Sequence, residues 1–159
     1  MLSHRWIQLT LCSAAALMIA GCGDTTSEDT EVTFSDIWPR LEAEGCDLCH
    51  SPGGSESNGP DLSKQSQFVS DLVGKGAADY PNWAVTGTCS SKLSYITAGD
   101  STKSTLMAAL SKADSDAMEA KYNCFSSYNI HNINNVTIEK GSALYNELVS
   151  WIDAGAKNN

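Results

Sequence analysis

The segment Cys46-Asp47-Leu48-Cys49-His50 constrains this chain more than any other feature of its sequence. Two thiols are separated by two residues and are followed at once by an imidazole, so three side chains of high chemical reactivity fall within little more than one helical turn. A turn of this kind presents the three side chains together to a common ligand.

The spacing C-x-x-C-H is that of covalent c-type haem attachment. On one tight turn, the thiols of Cys46 and Cys49 reach the two vinyl groups at one porphyrin edge, and the imidazole of His50 comes under the iron. We therefore expect one covalently attached haem c, with His50 as the proximal iron ligand. A dithiol of thioredoxin type would follow a strand in a βαβ pattern, which is not visible here. A zinc site would need two more ligands close by.

The start of the chain has the pattern of an export signal, with a short apolar run over Leu11–Ala20 that cannot span a bilayer. Its end, Ile19-Ala20-Gly21-Cys22, resembles the lipobox of bacterial lipoproteins, in which the cysteine is lipidated. The resemblance implies a signal peptide over 1–21, a membrane anchor on Cys22 and a polar tether over 22–32. An ordinary cleaved signal with an incidental cysteine is the alternative.

Acidic residues outnumber basic ones by 19 to 10, which gives a net charge of −9. Nucleic acid is thereby excluded as a partner, because phosphate binding needs clustered lysine and arginine. A basic protein partner fits this charge better. Gly23 rather than Asp follows the anchor cysteine, and by resemblance to enteric lipoproteins this favours the outer membrane, facing the periplasm.

Hydrophobic spacing predicts an all-α domain over 33–159, with no convincing strand alternation. Helices are predicted from Phe34 to Gly45, Gln67 to Val73, Ser104 to Leu110 and Thr137 to Ala154. Ser35 or Asp36 is available near the start of the first helix, and Thr137 is the expected cap of the last one. The long loops between these helices are expected to wrap a cofactor.

Three stretches of the domain resemble class I cytochrome c: the helix leading into the C-x-x-C-H segment, the stretch Asn58–Leu62, and the last helix from Leu148 to Ala156. The similarity covers roughly residues 33–156 and is greatest to the variant domains of bacterial lipoproteins and planctomycete-type proteins. It implies a cytochrome c-like fold with its first and last helices packed together.

The same resemblance implies a role for Pro60. In the family, a Pro carbonyl in the Gly-Pro-x-Leu stretch accepts a hydrogen bond from the proximal imidazole. Carried over to this chain, Pro60 would orient His50 and leave its Nε2 for the iron. A simple turn at Gly59-Pro60 is the other interpretation.

On the opposite side of the iron the chain departs from the family. Most relatives supply a Met, commonly followed by Pro, in the loop before the last helix, whereas residues 121–136 contain neither. His131 is the imidazole that remains once His50 is proximal, so we expect it to be the sixth ligand. Met118 and Met107 are alternatives, as is an open or water-bound site.

The cysteines left over, Cys89 and Cys124, are expected to form a disulfide, because free thiols are unusual in exported proteins. Such a bridge would stabilise the domain by about 3 to 4 kcal/mol in the chain-entropy model.

The leading hypothesis is a monohaem cytochrome that carries single electrons between redox partner proteins in the cell envelope, and not an enzyme. No catalytic triad, carboxylate pair or phosphate loop is present to support catalysis by side chains. A haem-based sensor or peroxidase-like enzyme would need an exchangeable sixth ligand. A haem-free envelope lipoprotein, with Cys46 and Cys49 joined in a small disulfide, is the third hypothesis.

Overall fold

The structure is a computed structural model that describes residues 31–80, 93–123 and 126–159. The predicted signal peptide, the anchor Cys22, and the pair Cys89 and Cys124 lie outside these ranges. Within them the chain is helical and contains no strand, so the all-α class is confirmed. The helices are α1 (Phe34–Ala43), α2 (Gln65–Leu72), α3 (Thr105–Leu110), α4 (Lys112–Tyr122), α5 (Tyr128–Ile133) and α6 (Ala143–Asp153). None of these helices is long and apolar enough to cross a bilayer.

Helix α1 begins one or two residues before the polar groups expected to mark its start. Thr33 precedes the helix, and the carboxylate of Asp36 accepts hydrogen bonds from the backbone N–H of Thr33 at 3.3 Å and from its hydroxyl at 2.6 Å. An acidic group in the first turn also interacts favourably with the helix dipole. Asp36 therefore stabilises the start of α1 from inside the helix.

The prediction that the last helix begins at Thr137 is wrong. The hydroxyl of Ser142 accepts a hydrogen bond from the backbone N–H of Tyr145 at 3.2 Å and caps α6 five residues later. Residues 136–139 have no regular secondary structure, and the backbone N–H of Ile138 donates to the carbonyl of Leu110 at 2.9 Å. This bond ties the segment before α6 to the end of α3.

Two helices, α4 and α5, were not predicted from the sequence. Each lacks the apolar stripe that reveals an amphipathic helix: Met118 is the one residue of α4 that is buried, and α5 buries none. Ser111 caps α4 by accepting from the backbone N–H of Asp114 at 3.4 Å. Both helices pack on α3, so contacts with α3 rather than intrinsic amphipathicity hold them in place.

The core lies where α1 packs against α6, as expected. Phe34 stacks on Trp151 with ring centroids 4.4 Å apart, and Ile37 and Leu148 are fully buried beside them. The indole N–H of Trp151 donates to the carbonyl of Lys157 at 2.7 Å, which satisfies its polar atom inside the core. The packing of Phe34 on Trp151 fixes the direction of α1, and therefore the place at which the Cys46–His50 segment begins.

We expect Trp151→Ala to lower the free energy of unfolding by about 3 to 5 kcal/mol, because it removes a buried aromatic ring and leaves a cavity. Urea denaturation followed by circular dichroism measures the loss. Ile133→Ala, at a side chain that is 78% exposed, serves as the control and should stay within about 0.5 kcal/mol of the wild type. Equal losses in the two variants would contradict the assignment of Trp151 to the core.

Candidate functional site

A pocket of about 750 Å³, measured with its open mouth, lies between the Cys46–His50 segment and α5. Cys46, Cys49 and His50 line one side of it, and Ile130 and His131 line the other. Apolar side chains from α1, α2, α3 and the connecting loops form the rest of its wall: Leu41, Leu62, Phe68, Leu106, Leu110 and Val136. This mainly apolar lining, with a few polar groups, is typical of a site for an apolar ligand or cofactor.

The backbone after α1 turns sharply to bring the two cysteines to the pocket. Gly45 adopts a left-handed conformation with φ of +72°, which ends the helix at a position where a side chain would be strained. A single 3₁₀ turn follows over Cys46–Leu48, and the backbone N–H of His50 donates to the carbonyl of Cys46 at 3.0 Å. Thiols and imidazole thus line one cavity, as their spacing predicts.

The loop after His50 folds back over the segment that carries the cysteines. The backbone N–H of Glu56 donates to the carbonyl of Cys49 at 3.0 Å, and the N–H of Leu62 donates to the carbonyl of His50 at 2.7 Å. A Cβ on Gly54 would lie 2.3 Å from the carbonyl oxygen of Cys49. The loop can approach this closely only because residue 54 has no side chain.

His50 is a neutral imidazole in this environment. Burial, together with a smaller effect of charge on His131, lowers its pKa to about 4, although a hydrogen bond to the backbone of Pro60 acts in the opposite direction. Since proline has no N–H, that backbone group is its carbonyl, and the imidazole donates to it. Pro60 is itself buried.

His131 faces His50 across the pocket. The centroids of the two imidazole rings are 6.3 Å apart, and their planes differ by 13°. Nδ1 of His131 lies 3.0 Å from the carbonyl oxygen of Ser127, which can only accept, so Nδ1 carries the proton and Nε2 keeps the lone pair. Burial lowers the pKa of His131, against opposing effects of this hydrogen bond and of the charge on Glu56.

The distance between the rings fits one shared metal ion. Each metal–nitrogen bond is about 2 Å long, and each nitrogen lies about 1.2 Å from the centre of its imidazole ring. Two imidazole rings bound on opposite sides of one metal ion therefore have centroids roughly 6.4 Å apart. The observed 6.3 Å agrees with that sum. The spacing of His50 and His131 is therefore compatible with one metal ion held between them.

The two methionines considered as alternatives lie elsewhere. Met107 is buried in the main core, and Met118 packs with Ala108 in a second, smaller cluster formed by α3 and α4. Neither side chain lines the pocket. The structure thus brings His131, and not Met107 or Met118, to the side of the pocket opposite His50.

Cys46 and Cys49 are free thiols rather than a disulfide. The thiol of Cys46 points back to the carbonyl of Leu41, at 3.7 Å. Burial, together with the negative charges of Glu44 and Asp47, raises its pKa to about 11. At neutral pH this sulfur is protonated.

Sequence patterns did not identify several residues that line the pocket. Glu56 lies in a loop that the sequence marks only as rich in Gly, Pro and Ser, and Ile130 and Asn134 lie on or just after the unpredicted α5. For Ile130 and Asn134, proximity to His131 in the chain was the one available signal.

Across 31–80, 93–123 and 126–159, no three His, Cys, Asp or Glu side chains form a metal-binding group.

Comparison with known proteins identifies no relative: no family model matches the chain, and neither curated proteins nor solved structures include a significant match.

Gly54→Ala is expected to lower the free energy of unfolding by about 2 to 3 kcal/mol, because the new Cβ must displace backbone rather than a flexible side chain. Chemical denaturation measures this change. Ser55→Ala, one residue along the same loop, is the matched control and should change stability by less than about 0.5 kcal/mol. Unaltered stability of Gly54→Ala would show that the loop does not rest on Cys49 as described.

Proposed function

We propose that the chain is a monohaem c-type cytochrome that transfers single electrons in the bacterial cell envelope. The observation that carries this proposal is the placement of His131 opposite His50, across an apolar pocket that Cys46 and Cys49 also line. The sequence motif alone predicts attachment on one side, whereas the pocket and the second histidine are independent features that the same cofactor would need.

Each part of the site has a defined role in this proposal. Cys46 and Cys49 would hold haem c covalently, and the bound group would supply reversible one-electron chemistry at its iron. His50 and His131 would bind the metal as neutral imidazoles, and backbone carbonyls of Pro60 and Ser127 would orient the rings. The apolar side chains that line the pocket would limit the access of water to the bound group.

The state of Cys46 supports haem attachment over a dithiol function. Cysteines that exchange disulfides have a lowered pKa, because the thiolate is the attacking species. Burial and the neighbouring acids raise the pKa of Cys46 instead. A thiol of this kind is a poor redox nucleophile and needs assistance before it can be modified, which suits attachment by an assembly system.

The second histidine favours an electron carrier over a sensor or a peroxidase-like enzyme. A carrier needs two permanent axial ligands, whereas sensing or catalysis at the iron needs an exchangeable position. His131 would occupy that position, with its Nε2 lone pair available. Haem c is attached outside the cytoplasm. The same proposal therefore includes export, lipid attachment through Cys22 and a disulfide between Cys89 and Cys124.

Protein matured in a bacterial strain with cytochrome c assembly machinery should show the c-type band in a pyridine haemochrome assay. Replacing both Cys46 and Cys49 by Ala should abolish covalent haem, because no thioether can form. The intervening residues provide matched controls: Asp47→Ala and Leu48→Ala should each retain haem at more than about half the wild-type level. Absence of the band from the wild type would refute the proposed function.

His131→Ala should convert the oxidised iron from low spin to high spin and allow the reduced protein to bind carbon monoxide, because one axial ligand is lost. Low-temperature electron paramagnetic resonance and optical titration measure the two changes. Met118→Leu and Met107→Leu are controls that should leave both measurements as in the wild type. A low-spin spectrum in His131→Ala would exclude His131 as the ligand.

A further inference from the structure

Large apolar side chains are exposed in one part of the described structure. Leu48 is 78% exposed, Ile130 is 62% exposed and Ile133 is 78% exposed, and these are the exposed large hydrophobic residues found across the described ranges. Scattered single examples would need no explanation, but these three all flank the two facing histidines. Leu48 precedes His50 by two residues, and the isoleucines lie on either side of His131 in α5.

These side chains lie on or beside elements that line the pocket. Ile130 lines the pocket directly, and Ile133 lies three residues further along the same helix, so the two share a face. Leu48 lies against Gly45, another lining residue, with its Cδ1 at 3.0 Å from the position of a Cβ on that glycine. Exposed apolar side chains are therefore present both on α5 and on the Cys46–His50 segment.

Carboxylates lie close to the same residues. Glu56 lines the pocket, and Glu44 and Asp47 flank Cys46, another lining residue, in the chain. None of the ion pairs between described residues involves these three acids, and no lysine or arginine is among the described residues that line the pocket.

We propose that Leu48, Ile130 and Ile133, with Glu44, Asp47 and Glu56 around them, form the docking surface for a protein partner whose own surface is rich in lysine or arginine around an apolar centre. We call these six residues the mouth surface. An apolar centre with a charged rim is the usual construction of a protein interface, in which the rim steers approach and the centre limits dissociation.

Charge decides between this partner and other occupants. A second copy of the chain would bring three carboxylates against three carboxylates, and a bilayer with anionic headgroups would repel the same rim. A basic protein gains attraction from every one of these groups. In the proposed cytochrome, this basic protein would be the redox partner and would dock beside His50 and His131. In that respect the inference rests on the proposed function.

Binding to a lysine-rich mitochondrial cytochrome c, used as a basic probe protein, tests the electrostatic part. The full chain is titrated at low ionic strength by isothermal calorimetry, as the wild type and with Glu44→Gln, Asp47→Asn and Glu56→Gln combined. We expect the dissociation constant to rise about tenfold in this triple variant. A control triple variant removes the same charge from exposed sites outside the pocket: Asp79→Asn, Glu119→Gln and Glu139→Gln. It should change the dissociation constant less than about threefold.

Ile133→Ser tests the apolar part, since it leaves charge and pocket lining intact. It should raise the dissociation constant about threefold or more, and the difference should persist as salt is added, because an apolar contact is not screened. Three results would each overturn the docking surface. They are equal changes in the dissociation constant for the two triple variants, an unaltered dissociation constant for Ile133→Ser, and no binding of the probe protein. Haem content is measured separately for every sample. Normal haem content together with binding that does not depend on the mouth surface would refute the docking surface but not the proposed function. Absence of haem from the wild type would refute the proposed function.

Discussion

Stacking of Phe34 on Trp151, with ring centroids 4.4 Å apart, determines the position of everything that follows α1. Both rings are buried, and the last residues of the chain hold the start of α1 against α6: the backbone N–H of Ser35 donates to the carbonyl of Asn159 at 3.0 Å. A helix fixed in this way must end at one defined place. The turn at Gly45 then converts that fixed end into a fixed position for Cys46 and His50.

A cavity beside the core is energetically unusual in a domain of this size. Protein interiors are close-packed, and unfilled apolar space costs stability because its lining atoms lose dispersion contacts. Here apolar residues from α1, α2 and α3 that pack in the core also line a pocket, and α5 closes one side without burying any residue of its own. The arrangement is reasonable if a bound group completes the core, in which case binding and folding are coupled.

The sequence was sufficient for those parts of the site that rest on local spacing. Cys46, Cys49 and His50 are brought together by one turn, and α1 and α6 have apolar stripes that specify their packing. His131 could be named by elimination but not placed, because its position depends on α5, a six-residue helix with no apolar periodicity. The bond from the backbone N–H of Ile138 to Leu110 and the packing of α5 on α3 are long-range features that no local pattern encodes.

Burial and nearby acidic groups have separate electrostatic effects on the pocket. Burial keeps His50 neutral, with a pKa of about 4, so the imidazole can bind a metal without first losing a proton. Acidic groups near the mouth, such as Glu56, favour positive charge within the site, and hence the oxidised over the reduced state of an iron held there. Ligation by two imidazoles acts in the same sense, because replacing a methionine by histidine lowers the reduction potential. Both effects suit the proposed cytochrome to donating electrons at low potential, to a partner whose positive surface complements the acids around the pocket.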